Sequence, residues 1–226
     1  DLGRITQPRA REVLAIAVPE NAEEDRVDRN LVLLGQVLHD AFAGCIELRC
    51  DHHQLVRLIQ ILRKLLRAAR DCEHVCIAKA AHAPMDRARA YVEKKLDEGA
   101  AVYGLTTGFG KFSDTFISRA DAATLQRNLI KSHACGMGDP LPEEDVRAAM
   151  LLRANALCRG NSGIRRSTVD ALLDMLNAGV HPVIPEKGSL GASGDLAPLA
   201  HMALVLMGEG EAFYRDQRLS GAEALR

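Results

Sequence analysis

Apolar residues recur at three- and four-residue intervals along most of this chain, a spacing that confines it to a helical architecture. The stretch from His53 to Arg70 displays the pattern best. Leu55, Leu58, Ile59, Leu62, Leu65, Leu66 and Ala69 fall on one face, and Arg57, Arg63, Lys64, Arg67 and Arg70 on another. That basic face suits an anionic surface, but the reading preferred here is the solvated side of a core or docking helix. Asp25 to Ala41 reads as a second amphipathic helix. Met85 to Glu98, Ala120 to His133 and Glu143 to Arg159 read as further helices, the last after Pro140 and Pro142. Ser167 with Asp170 predicts a cap for a helix that Gly179 ends. Pro182, Pro185 and Gly188 then set up a turn. Strand-like alternation is scarce, so the predicted class is mainly α, a helical bundle.

Composition narrows the function. With 226 residues the chain is long enough for a substantial core, and 47% of them are hydrophobic. A formal net charge of -1 argues against a general electrostatic hold on nucleic acid. No uncharged apolar run is long enough to suggest a membrane span, and Asp1-Leu2-Gly3-Arg4 does not begin a signal peptide. Six scattered cysteines fit a reducing cytoplasm.

The chemistry concentrates in Gly188-Ser189-Leu190-Gly191-Ala192-Ser193-Gly194-Asp195-Leu196-Ala197-Pro198-Leu199-Ala200-His201. In a tightly folded turn the Gly194 nitrogen can attack the Ala192 carbonyl, because glycine has no Cβ to crowd the approach. Loss of two waters leaves a five-membered ring, and the Ser193 β-carbon becomes a methylidene that accepts electrons. The plainer reading of the same residues is a turn that starts a helix. Ser193 or Asp195 caps it, Pro198 sits in its first turn, and Leu196, Leu199, Met202, Ala203 and Leu206 form its apolar face. Both readings hold together, since a helix N-terminus carries partial positive charge beside an electron-withdrawing group.

The whole string resembles the signature of the aromatic amino acid ammonia-lyases, the histidine, phenylalanine and tyrosine lyases that carry a methylidene-imidazolone. The resemblance runs from about Val75 to Arg226. It implies a 4-methylidene-imidazol-5-one formed from Ala192, Ser193 and Gly194, with no external cofactor and no metal. Two stretches N-terminal to the string support it. Val102-Tyr103-Gly104-Leu105-Thr106-Thr107-Gly108-Phe109-Gly110-Lys111-Phe112 reads as a mobile glycine-punctuated loop, and in the family the matching tyrosine covers the active site. Tyr103 is thereby the candidate base for the substrate β-proton, a task for which a phenol with a reference pKa near ~10 needs surroundings that favour the phenolate. Asn128-Leu129-Ile130-Lys131-Ser132-His133-Ala134-Cys135-Gly136-Met137-Gly138 matches the segment that reads the substrate ring. The resemblance gives histidine lyases Ser-His there, tyrosine lyases His-Leu and phenylalanine lyases Phe-Leu. Ser132 and His133 therefore imply L-histidine as substrate and trans-urocanate as product, the first step of histidine degradation. An imidazole pocket that exchanges a hydrogen bond with its ligand rejects rings that cannot.

The resemblance also implies a homotetramer and further active-site residues beyond Arg226. The expectation is therefore that residues 75–226 form the N-terminal part of an ammonia-lyase domain, truncated before its C-terminal helical bundle. Residues 1–74 are a poorly matched N-terminal helical extension, in which Ile46-Glu47-Leu48 followed by Leu55 to Arg70 only loosely resembles the short strand-like segment and helix that usually open the family. Asn161 departs from the family, which commonly has an aromatic residue or histidine there. Three alternatives remain open: a tyrosine or phenylalanine lyase, an aminomutase sharing the ring, and a catalytically silent fragment acting only in assembly. For the extension, Cys45, Cys50, His52, His53, Cys72, His74 and Cys76 contain enough ligands for a structural zinc, but their loose spacing favours ordinary cysteines.

Overall fold

The computed structural model describes residues 14–16, 63–113, 115–188 and 196–226. The predicted helix at Asp25 to Ala41, the Ile46–Leu48 segment and the first part of the helix from His53 lie outside them. The described end of that last helix, α1, covers residues 63–70. Ala68 and Ala69 are buried and Leu65 packs against the core, whereas Leu66 stays exposed. On its basic face Arg67 pairs with Glu73, and Arg70 reaches Glu144 at 2.5 Å.

Two short strands, β1 (Leu14–Ile16) and β2 (Val75–Ile77), pair in parallel, Leu14 opposite Val75. Helix α2 (Lys79–Asp97) follows and begins six residues before the predicted Met85. Pro84 lies inside the helix. Burial of both Ala81 and Met85 in the core offsets the backbone bond that proline forfeits. Helices α3 (Arg119–His133) and α4 (Glu143–Leu157) match their predicted spans closely, with β3 (Met137–Pro140) between them. Glu143, Glu144 and Asp145 occupy the first turn of α4, where the helix dipole favours carboxylates.

Helix α5 (Arg166–Ala178) corrects one expectation. Ser167 lies within the helix and caps nothing; Arg165 stands at the cap position without a side-chain bond, and Arg166 is paired with Asp86 of α2 at 3.0 Å. The helix ends as predicted at Gly179, left-handed with φ 76°. The predicted turn through Pro182 and Pro185 is instead two strands, β4 (His181–Pro182) and β5 (Pro185–Lys187). Helix α6 (Leu196–Leu206) leads into a hairpin of β6 (Glu211–Tyr214) and β7 (Gln217–Ser220), and α7 (Gly221–Ala224) closes the chain on a Ser220–Glu223 capping box. The sheet order is β4-β6-β7, all antiparallel.

The core gathers Val75, Met85, Val146, Met150, Ala154, Val169, Leu172, Leu176, Ile184 and Val205 from β2, α2, α4, α5, the β4–β5 link and α6. Two polar side chains organise it. Arg147 of α4, 2% exposed, donates to the carbonyls of Ala68, Ala69 and Leu176, C-terminal oxygens of α1 and α5, the last of which also accepts the Gly179 N–H. Asn177 grips Val75 twice: its Nδ2 donates to the Val75 carbonyl at 2.8 Å, and its Oδ1 accepts the Val75 N–H at 2.9 Å.

Candidate functional site

Helix α3 carries the predicted ring-reading pair at its C-terminus. Ser118 caps the start, accepting from the Asp121 N–H at 3.2 Å. In the last turn, His133 Nδ1 lies 2.8 Å from the Leu129 carbonyl and 3.1 Å from Ser132 Oγ, and Ser132 donates to the same carbonyl at 2.8 Å. A carbonyl only accepts, so this contact requires the Nδ1–H tautomer and leaves the His133 Nε2 lone pair for a ligand N–H.

The chain leaving His133 is held against both flanks of the Ala192–Gly194 segment. Strand β3 pairs antiparallel with β5, Met137 opposite Lys187. The Gly136 N–H donates to His201 Nε2 of α6 at 3.1 Å. Gly188, at φ 144°, leaves no room for a side chain: a Cβ there would stand 2.8 Å from Gly136 Cα and 3.6 Å from Ala197 Cβ. Gly188 and Ala197 are thus neighbours in space although the string's reactive residues lie between them. Ala192, Ser193 and Gly194 themselves lie outside the described residues, as does Asp195.

Tyr103 sits at the exposed tip of a segment whose base is anchored. Buried Thr106 donates to the Ala100 carbonyl at 2.6 Å and accepts the Val102 N–H at 2.8 Å. Thr107 bridges to Phe116, and Ile117 donates back to the Thr106 carbonyl at 2.8 Å. Tyr103 is 63% exposed, its ring edge-on to Phe109 and its hydroxyl accepting the Gly110 N–H at 3.3 Å. Gln126 of α3 donates to the Gly104 carbonyl at 3.3 Å. One helix therefore steers both the tyrosine loop and the Ser132–His133 pair.

His201, Gly136 and Gln126 are site residues that reading the sequence did not single out. His201 closes the quoted string, yet its lone-acceptor role shows only when Gly136 lies beside it. Burial pushes the His201 imidazole below its ordinary value, which keeps it neutral and able to accept. The candidate zinc ligands Cys45, Cys50, His52 and His53 lie outside the described residues. Cys72 and Cys76 are free thiols, and among the described residues no three His, Cys, Asp or Glu side chains cluster as a metal site.

A cavity of about 510 Å³ opens elsewhere, between the start of α4 and the β6–β7 hairpin. None of the predicted site residues lines it. His181 does, 3.2 Å from Glu143, with its Nε2 3.1 Å from Arg147.

The chain leaving α3 thus lies against both flanks of the small-residue string, and the same helix touches the loop that carries Tyr103. The family model for aromatic amino acid lyases matches residues 61–226, and the chain belongs to that family. It is 58% identical over 165 residues to a histidine ammonia-lyase of Caldanaerobacter subterraneus subsp. tengcongensis, an alignment covering 73% of this chain and 32% of that protein. Among solved structures, Pantoea agglomerans phenylalanine aminomutase superposes with a TM-score of 0.69 at 39% identity, covering 73% of this chain and 31% of its own. The histidine ammonia-lyase of Trypanosoma cruzi gives 0.65 at 38% identity, over 72% of this chain and 31% of its own. The chain thus spans about a third of the length of the curated relatives it matches. No described helix is long and apolar enough to cross a membrane.

Proposed function

We propose that this chain is the cofactor-bearing portion of a histidine ammonia-lyase, which eliminates ammonia from L-histidine to give trans-urocanate. The observation that carries the reading is the Ser132–His133 pair, its Nδ1 proton engaged by Leu129 and its Nε2 left for an imidazole N–H. Identity of 58% to a protein named as that enzyme supports it. Residues 75–226 are then the N-terminal part of the lyase domain and residues 1–74 an extension, although the family match already takes in α1.

The flanks of the tripeptide suit a compact ring. Gly188 and Gly136 lie where a side chain on either would crowd its neighbours, and the segment leads into the N-terminus of α6, whose partial positive charge favours developing negative charge. Cyclisation of Ala192, Ser193 and Gly194 would supply an electrophilic methylidene carbon that helps the amine depart. The protein's own side chains do the rest. His133 accepts the substrate ring N–H and so orients the β-carbon. Ser132 holds the His133 tautomer. Tyr103 takes the β-proton on its phenolic oxygen, which the Gly110 N–H already polarises.

A homotetramer, a cytoplasmic location and the absence of nucleic-acid or membrane partners belong to the same proposal. The net charge and the free state of Cys72, Cys76, Cys135 and Cys158 favour it. The fold kinship with an aminomutase keeps a second outcome in view, in which the amine returns to the β-carbon. The deciding experiment weighs the peptide containing residues 192–194 and analyses the products formed from L-histidine. The expected result is a deficit of two waters, absent in Ser193→Ala, together with urocanate. A β-amino acid product would make the protein an aminomutase; an intact serine in protein that still deaminates histidine would remove the proposed chemistry. Activity of this chain compared with that of a longer one separates an enzyme from an assembly fragment.

A further inference from the structure

We infer that His201 is a positioning residue, whose neutral Nε2 accepts the Gly136 N–H and thereby sets the ring-reading end of α3 against the flanks of the reactive segment. The inference rests on the reading of Ser132 and His133 as the substrate-facing pair.

Gly136 is the meeting point of three pieces of chain. It follows His133 by three residues, donates to His201 on α6, and lies against Pro185 of β5: a Cβ on it would stand 3.0 Å from both His201 Nε2 and Pro185 Cβ. Gly188 closes the packing from the other side, 2.8 Å being the gap its own Cβ would leave to Gly136 Cα. Contact this tight fixes position but not direction. The hydrogen bond supplies direction, because the amide must aim at one nitrogen of one ring. Nε2 can accept only while it carries no proton, and the partial burial of His201 disfavours the imidazolium. Further back along α3, Lys131 and Arg127 both pair with Glu209, which lies just past α6, so the same two helices are clamped at a second level. With that clamp intact, loss of the His201 bond frees only the last turn and the segment after it.

The test compares wild type with His201→Leu, which keeps bulk and removes the acceptor, and His201→Gln, whose carboxamide oxygen replaces Nε2 without titrating. Three readouts apply: the two-water mass deficit, the split of KM against kcat for L-histidine, and the hydrogen-exchange rate of the Gly136 amide. In His201→Leu the ring mass is expected to be unchanged, KM to rise about tenfold and kcat to move less than about threefold. His201→Gln is expected to restore KM. The Gly136 amide should exchange at least about tenfold faster in His201→Leu and return toward the wild-type rate in His201→Gln. A Gly136 amide that exchanges no faster in His201→Leu overturns the inference, as does a normal KM in His201→Leu or a His201→Gln no better than His201→Leu. Wild-type protein that processes no histidine sinks the functional reading instead, and the Gly136 exchange rate still decides the role of His201.

Discussion

Four hydrogen bonds to three carbonyls converge on the guanidinium of Arg147, and no other side chain type could make them. A planar fork reaches the ends of two helices at once; an ammonium reaches one. Arg147→Met is therefore expected to lose about 3 kcal/mol, since it leaves buried carbonyls unpaired, and Arg147→Lys somewhat less. Urea unfolding checks this through a lowered midpoint at constant slope. His133 carries the prediction on selectivity. In His133→Phe, kcat/KM for L-histidine should fall at least about tenfold while that for phenylalanine or tyrosine holds or rises, measured by competition between the amino acids. Tyr103 and His133, the side chains proposed to carry the chemistry, were nameable from the sequence because each stands in a distinctive string. His201 was not, since an acceptor is defined by its donor and Gly136 lies 65 residues away.

Among the elements, helices were legible and strands were not. Three- and four-residue periodicity located α3 and α4, and Gly179 marked the end of α5; α4 and α5 bury apolar stripes, whereas the described side chains of α3 are at most half-buried. The β6–β7 hairpin was missed for a physical reason. Its turn places Arg215 and Asp216 at φ 50° and 61°, a geometry usually signalled by glycine or asparagine, and neither residue is either. Strands β4 and β5, two and three residues long, are too short for any alternation to register. Glycines provide the prediction at this scale. Gly179→Ala meets nothing within 4 Å, so its cost is conformational only, about 1 kcal/mol. Gly163, also left-handed at φ 68°, lies directly under Val92 of α2, so Gly163→Ala adds a collision to the same strain and should cost clearly more in thermal unfolding.

For the whole molecule, acid is the expected weakness. Burial holds His181 below the ordinary imidazole value; Glu143 pulls it upward and Arg147 downward, and the mostly exposed Glu143 is the more screened of the two. A lowered pKa means that folding favours the neutral ring, so this stability is complete above ~6.5 and disappears as pH drops through the lowered value. His201 acts in the same sense. The unfolding temperature should therefore fall from pH 7 to pH 5, and His181→Gln should flatten that dependence; an unchanged slope in the variant would assign the acid response to other groups. The family and its helical class were readable from one string of residues, while the pairing of β1 with β2 was not, since three-residue partners so far apart in the chain leave no pattern. Asn177 has a consequence for how such molecules meet. By occupying both polar groups of Val75 it fills a rung that an intruding strand from another copy would need, so a single carboxamide guards this small sheet against runaway edge-to-edge growth.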